Sequence, residues 1–346
     1  MFRGLSAAAL ALALLIAPAT GQAAPRAADD LEAINADYAR ALRALDASRL
    51  ERLVKLAASQ PAEEANGTYE FLFRTAIQSN LFVEAEKPAE EVLKRKGLSA
   101  PVAWLAVFVN LIAEAKRGAY EDSLDTLLAM INAAGKADPA DIAVIPEAQR
   151  ASLLDAYYQL LVQADRFEIA GKAMAAVQSR TQSDLIRRMA TNRLKQLALV
   201  NKPAPELVGT DIEGKTVRLA DYRGKVVLLA YWATWSFPSA EEFEWFESIS
   251  KKYESKGLRV IAINVDAMQE GGISDDSIVP QIRRYVIDRN LRWPVLLNHT
   301  GKEDYAGMFG VNEIPASVMI GKDGKVVHLD LRRDNLEAKV KEELAK

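Results

Sequence analysis

VVLLAYWATWSFPS, residues 226–239, is the stretch whose reading decides the fold. Its first seven residues, 226–232, are an unbroken apolar run rich in β-branched and aromatic side chains. A strand buried on both faces of a sheet reads in this way. Ala233, Thr234 and Trp235 predict a short turn, and Ser236, Phe237, Pro238 and Ser239 predict the opening of a helix. Serine is among the best N-cap residues, and proline is tolerated in a first helical turn, where its missing N–H has no partner to lose. Residues 240–256 continue that helix, with Phe243, Phe246, Ile249 and Tyr253 at helical spacing.

This stretch resembles the TlpA/ResA-like branch of the thioredoxin-like (redoxin) family, whose signature is an apolar strand, an aromatic-W-A-T-W turn, a C-x-P-C pair and a following glutamate. That resemblance implies membrane-tethered or exported thiol–disulfide oxidoreductases. Here Tyr231 to Trp235, Pro238 and Glu242 stand in the family pattern, while Ser236 and Ser239 occupy the positions of the two cysteines. Glu244 replaces a proline usual in the family. The likeness covers about residues 203–346. It implies a fold, but the chain contradicts the family chemistry. Disulfide exchange needs a thiolate that attacks a disulfide sulfur and is resolved by a second thiol. A serine hydroxyl forms no disulfide, and the chain holds no cysteine anywhere.

The remainder of this half fits the same reading. A hairpin is expected about residues 211–215, a second strand parallel to the first over 258–266, and a loop over 267–277 before a helix at 279–290. Residues 293–298 read as extended and 305–309 as a short helix. A strand at 316–320 turns back at 322–325 into 326–331, and a helix closes the chain over 334–346. Ile314-Pro315 matches the family's cis-proline, which by resemblance lies beside the motif and presents backbone to a bound peptide.

Between residues 29 and 199 no strand-like alternation occurs, and apolar residues recur at helical spacing. Breaks are expected at Gln60-Pro61, Asn66-Gly67, residues 99–101, residues 135–139 and Gln182-Ser183. A loose repeat runs through it: a helix, a tight break, an aromatic residue (Phe82, Tyr120, Phe167), then a small residue three positions on (Ala85, Ser123, Ala170). The pattern resembles degenerate tetratricopeptide-type helix pairs. Pro203 and Pro205 predict a boundary that ends the preceding helix and extends the chain, with few contacts to the helical half.

The expected architecture is therefore an α-helical repeat-like domain over residues 24–199, then an α/β thioredoxin-like domain over 200–346 with a central mixed sheet flanked by helices. Residues 1–23 read as a secretory signal: a basic start, an apolar segment thirteen residues long over 5–17, and small residues before a cut after Ala23. Thirteen residues are too few to span a bilayer, so an exported chain without a membrane span is expected. A net charge of −3 offers no case for nucleic acid. With His299 and His328 as the only histidines and no cysteine, neither a metal site nor a cofactor is expected. Gly271-Gly272 lacks the spacing of a phosphate loop.

Ser236 could be a nucleophile only with a general base in reach; the plainer role is a helix N-cap. Glu242, whose family counterpart tunes the dithiol, defaults here to a solvated helix residue. Trp235 and Phe237 flank Ser236, and exposed aromatics at such a junction suit binding better than catalysis. Trp235, Phe237, Pro238, Glu242, Ile314 and Pro315 are thus the candidate peptide-binding set, and no catalytic residue is expected. Two functions fit: a binding or scaffold protein for peptides or partner proteins, or a Cys-to-Ser form of a thiol–disulfide oxidoreductase.

Overall fold

A computed structural model describes residues 31–134, 146–268, 275–299 and 303–346. The signal-like segment, the break at 135–139 and Gly271-Gly272 lie outside the described residues. The chain divides into two compact units, Met1–Ser48 and Arg49–Lys346. The described part of the first is the opening of helix α1 (Leu31–Ser59), where Ile34, Tyr38, Leu42 and Leu45 are exposed.

Among its described residues the second unit opens with the end of α1 and then seven further helices: α2 (Ala62–Gln78), α3 (Phe82–Leu93), α4 (Ala100–Lys116), α5 (Tyr120–Ala134), α6 (Glu147–Gln163), α7 (Phe167–Arg180) and α8 (Asp184–Leu197). Three of the connections are built alike. Asn80, Gly118 and Asp165 take left-handed backbone, with φ of 56°, 83° and 57°. The next amide then bonds back five residues: Leu81 N to Ala76 O at 2.8 Å, Ala119 N to Glu114 O at 2.9 Å, Arg166 N to Leu161 O at 2.8 Å. Such bonds satisfy carbonyls left open at a helix end and stop it sharply. Phe82, Tyr120 and Phe167 each start the following helix, and Ala85, Ser123 and Ala170 are fully buried one turn later. Helix α4 is apolar nearly all round and forms the middle of this region, with Leu105, Phe108, Val109 and Ile112 buried.

One expected break is absent. Asn66 and Gly67 lie inside α2, where the Asn66 side chain donates to Gly97 O at 3.0 Å and accepts from Ser99 N at 3.1 Å. That anchor to the loop before α4 outweighs the weak helix preference of the pair.

The sheet has the order β5-β4-β3-β6-β7. Strands β3 (Val226–Trp232), β4 (Leu258–Asn264) and β5 (Val295–Leu297) are parallel, β6 (Ala316–Ile320) is antiparallel to β3, and β7 (Val326–Leu329) is antiparallel to β6. A separate hairpin pairs β1 (Val208–Thr210) with β2 (Thr216–Arg218). Val226, Leu228, Ala230 and Trp232 of β3 share one core with helices α9 (Phe237–Tyr253), α10 (Asp275–Asp288) and α12 (Arg333–Ala345). On the opposite face Tyr231 Oη donates to the carbonyl of Tyr305, in the short helix α11 (Tyr305–Met308), at 3.3 Å. Every residue of β3 is buried, as its apolar run predicts.

The proline-flanked connection is bonded to the sheet. Asn201 N donates to Val326 O at 2.8 Å, Val326 N to Lys202 O at 3.0 Å, and Ala204 N to Gly324 O at 2.9 Å. These bonds cover the open side of β7, whose unpaired backbone groups would otherwise be a template for pairing with another chain.

Behind that connection the helices and the sheet share charged, buried contacts. Arg193 of α8 is 5% exposed and pairs with Asp155 of α6 at 2.6 Å, with Asp330 at 3.2 Å and with Glu313 at 3.1 Å. Its guanidinium also lies over the Tyr158 ring, 4.8 Å from the centroid. Burial works against its charge, yet the carboxylates of Asp155 and Asp330 raise its pKa above the arginine value. Nearby, His328 of β7 stands between Asp165 at 2.9 Å and Glu343 at 3.2 Å, and Lys339 also reaches Asp165.

Candidate functional site

The site lies where β3 and β4 end, the usual place for ligands in open α/β sheets. β3 runs out at Trp232, and its carbonyl accepts from Val265 N at 2.9 Å, so the ends of both strands are tied together. Directly beneath the motif turn sits Asp266, fully buried. Both its carboxylate oxygens accept from Thr234 N at 3.1 Å, and Oδ1 also accepts from Thr234 Oγ1 at 2.9 Å. The Asn264 amide donates to Oδ2, and Asn264 Oδ1 accepts from Asp266 N at 3.1 Å. A buried carboxylate satisfied by this many donors fixes the turn that aims Ser236 and Trp235.

Ser236 is 7% exposed and directly precedes the first residue of α9, the N-cap place expected of it; its N–H donates to Ala233 O at 3.2 Å. Ser239 falls in the first turn of α9. The side chains of Phe237, Pro238 and Ser239 lie outside the described set, so the readings made of them are not placed here. Trp235 is 54% exposed, a large aromatic at the rim rather than in the core.

The antiparallel register puts Ala316 opposite Tyr231, which brings Pro315 level with the end of β3. Ile314–Pro315 is cis, and both residues are half-buried. Glu242 is corrected by the structure: its side chain is only 17% exposed, and Oε1 stands 4.0 Å from Arg332 Nη1. The solvated role expected of it fails because Arg332, just past β7, closes over that side of α9.

Asn264, Asp266 and Arg332 are not singled out by the sequence reading, and Thr234 enters it only as part of the motif turn. A carboxylate directly after the apolar run LRVIAIN was the available signal for Asp266. Both ring nitrogens of His328 are taken by Asp165 and Glu343, so this histidine is not the base a Ser236 nucleophile would require. The arrangement can present a turn, an aromatic and a cis-proline backbone to a ligand. It has no sulfur with which to exchange a disulfide.

Comparison with known proteins agrees with this geometry. Residues 200–329 match the AhpC/TSA family. The thiol-disulfide oxidoreductase ResA of Bacillus anthracis is 35% identical over 133 residues, 38% of this chain and 70% of the relative. ResA of Bacillus thuringiensis subsp. konkukian is 32% identical over 147 residues, 42% of this chain and 78% of the relative. Among solved structures, a thioredoxin-family thiol:disulfide interchange protein from Chlorobium tepidum aligns with 41% of this chain and 95% of its own, at 23% identity and a TM-score of 0.35. With its thioredoxin-like mixed sheet and its ResA relatives, this chain belongs to the ResA-like thiol–disulfide oxidoreductase family of redoxins, as a member without a cysteine.

Proposed function

We propose that this is an exported, thioredoxin-like protein that binds extended peptides or partner proteins at the motif crevice without thiol turnover. One observation carries the reading: Trp235 is exposed beside a turn seated on buried Asp266, with Pro315 level with the end of β3 next to it. A peptide laid along Pro315 would meet backbone on one side and the Trp235 ring on the other, a combination of main-chain pairing and aromatic contact common in peptide recognition. Export rests on the signal-like pattern of residues 1–23; no helix of the described residues is long and apolar enough to cross a membrane. The three alike turns support reading the helical region as a degenerate tetratricopeptide-type stack.

The test is a titration of the chain with unstructured, cysteine-free peptides, followed by tryptophan fluorescence and repeated with Trp235→Ala. Removing an aromatic anchor should weaken binding by at least about tenfold, the cost of an interface hot spot. Equal affinity for both proteins, or binding only to cysteine-containing peptides, would overturn the proposal. A second reading, a Cys-to-Ser form of an oxidoreductase, draws on the ResA relatives and on the serines standing at the two cysteine positions. Restoring the thiols separates it: efficient turnover would favour this reading over the first.

A further inference from the structure

Helix α8 of the helical region reaches both the loop before β6 and the return after β7. On the approach to the cis bond, Gly310 has φ of 68°, and a Cβ built there would stand 3.1 Å from both the backbone N and Cγ of Gln196. Three residues on, Glu313 accepts from Arg193 Nη2 at 3.1 Å, and Pro315 follows two positions later. The same guanidinium donates through Nη1 to Asp330 Oδ2 at 3.2 Å and to Gln196 Oε1 at 3.0 Å. Asp330 is 1% exposed, has φ of 48°, and its N–H donates to Ser317 O at 2.7 Å. Its neighbours Leu331 and Arg332 lead on to Glu242 of the motif helix. The loop before β6 and the return after β7 are therefore held by one buried side chain from outside the thioredoxin-like region.

We propose that Arg193 and Gln196 are positioning residues: α8 sets the place of the cis-proline loop through Gly310 and Glu313, and the place of Arg332 through Asp330. The physical reason is the fork of the guanidinium. Its planar donors fix the directions of several acceptors at once, which an ammonium cannot do. Asp330, out of water, depends on that fork for the neutralisation of its charge. Glu313, half-exposed, is tied to the fork by one bond, so the loop can be released without disturbing the buried pair. What the loop does for a ligand rests on the peptide-binding reading; that α8 holds it does not.

The experiment is amide hydrogen exchange on the full chain, unliganded, comparing the parent with Glu313→Gln, Gly310→Ala and Arg193→Gln. Glu313→Gln cuts only the link to the loop. It should speed exchange by about tenfold at residues 311–317, with β4 and α4 unchanged, as expected for local rather than global opening. Gly310→Ala should do the same by pushing the loop off Gln196. Arg193→Gln should add residues 330–335 to the affected set, and Arg193→Lys should not restore them. Unchanged exchange at 311–317 in both loop variants would overturn the proposal, as would a uniform rise across the chain. Because no peptide is present, failure of peptide binding leaves this readout intact. Conversely, peptide binding that is unaffected by Glu313→Gln while exchange rises would separate the two ideas.

Discussion

Two buried aspartates show how differently the two sides of the thioredoxin-like region are built. Asp266, under the motif turn, is answered by Thr234 and Asn264, all from its own region and all neutral donors. Asp330, at the return after β7, is answered by Arg193 and by Gln159 Nε2 at 3.1 Å, both from the helical region. The first arrangement is self-contained and needs nothing beyond β3 and β4. The second leaves a charge out of water unless α8 is in place. The motif is thus a local construction, whereas the sheet edge beside it depends on the helices.

Removing Arg193 is the strongest way to test that difference. Arg193→Ala leaves Asp330 buried without its cation and should cost about 3–5 kcal/mol, read from urea midpoints of the full chain. A loss below about 1 kcal/mol would mean that the pair is wet and that the contrast between the aspartates is false. Asp266→Ala should cost less, about 1–3 kcal/mol, because it strands the Thr234 and Asn264 donors but leaves no uncompensated charge. Its effect should stay local, quenching or shifting Trp235 fluorescence while leaving the interface closed. If Asp266→Ala opened the interface as well, the two sites would not be separable.

The smallest expected effect concerns the helices over the sheet's other face. Glu337 of α12 is held down to about 2 by hydrogen bonds from Lys252, Tyr253 and Lys341. A carboxyl depressed in the folded state stabilises above its unfolded pKa, and that contribution is lost as pH falls from about 4.5 to about 2. Glu337→Gln should therefore flatten the acid limb of the stability curve in that window and change nothing at neutral pH beyond loss of a surface pair. Stability curves that superimpose below pH about 4.5 would contradict the pairing.

Much of the fold is legible in the sequence because the strands are short apolar runs. Residues 226–232 and 316–320 are read at their observed bounds, and the C-terminal helix within one residue. The interface is less legible. Arg193 and Asp330 are 137 residues apart, and no local pattern joins them. One signal was present nevertheless. Arg193 and Gln196 fall on the buried stripe of α8 with Ile186, Met189 and Ala190, and a charge at a core position calls for a buried partner. Asn66-Gly67 reads as a break because local propensity carries no information about the Gly97–Ser99 loop that holds it helical. Glu242 reads as solvated for a similar reason, since Arg332 comes from ninety positions further along the chain.

The central claim, a thioredoxin-type turn and helix start with serines at the two cysteine positions, is tested most directly by restoring the thiols. Ser236→Cys with Ser239→Cys places two thiols at the start of α9, where the helix end favours a thiolate. The measurement is the thiol–disulfide equilibrium of the double variant in glutathione buffers, with the first thiol's pKa read by its reaction rate. The account predicts an intramolecular disulfide with a defined two-electron potential and a first-thiol pKa below the free value of about 8.5. Two thiols that titrate as ordinary cysteines and never join to each other would contradict it.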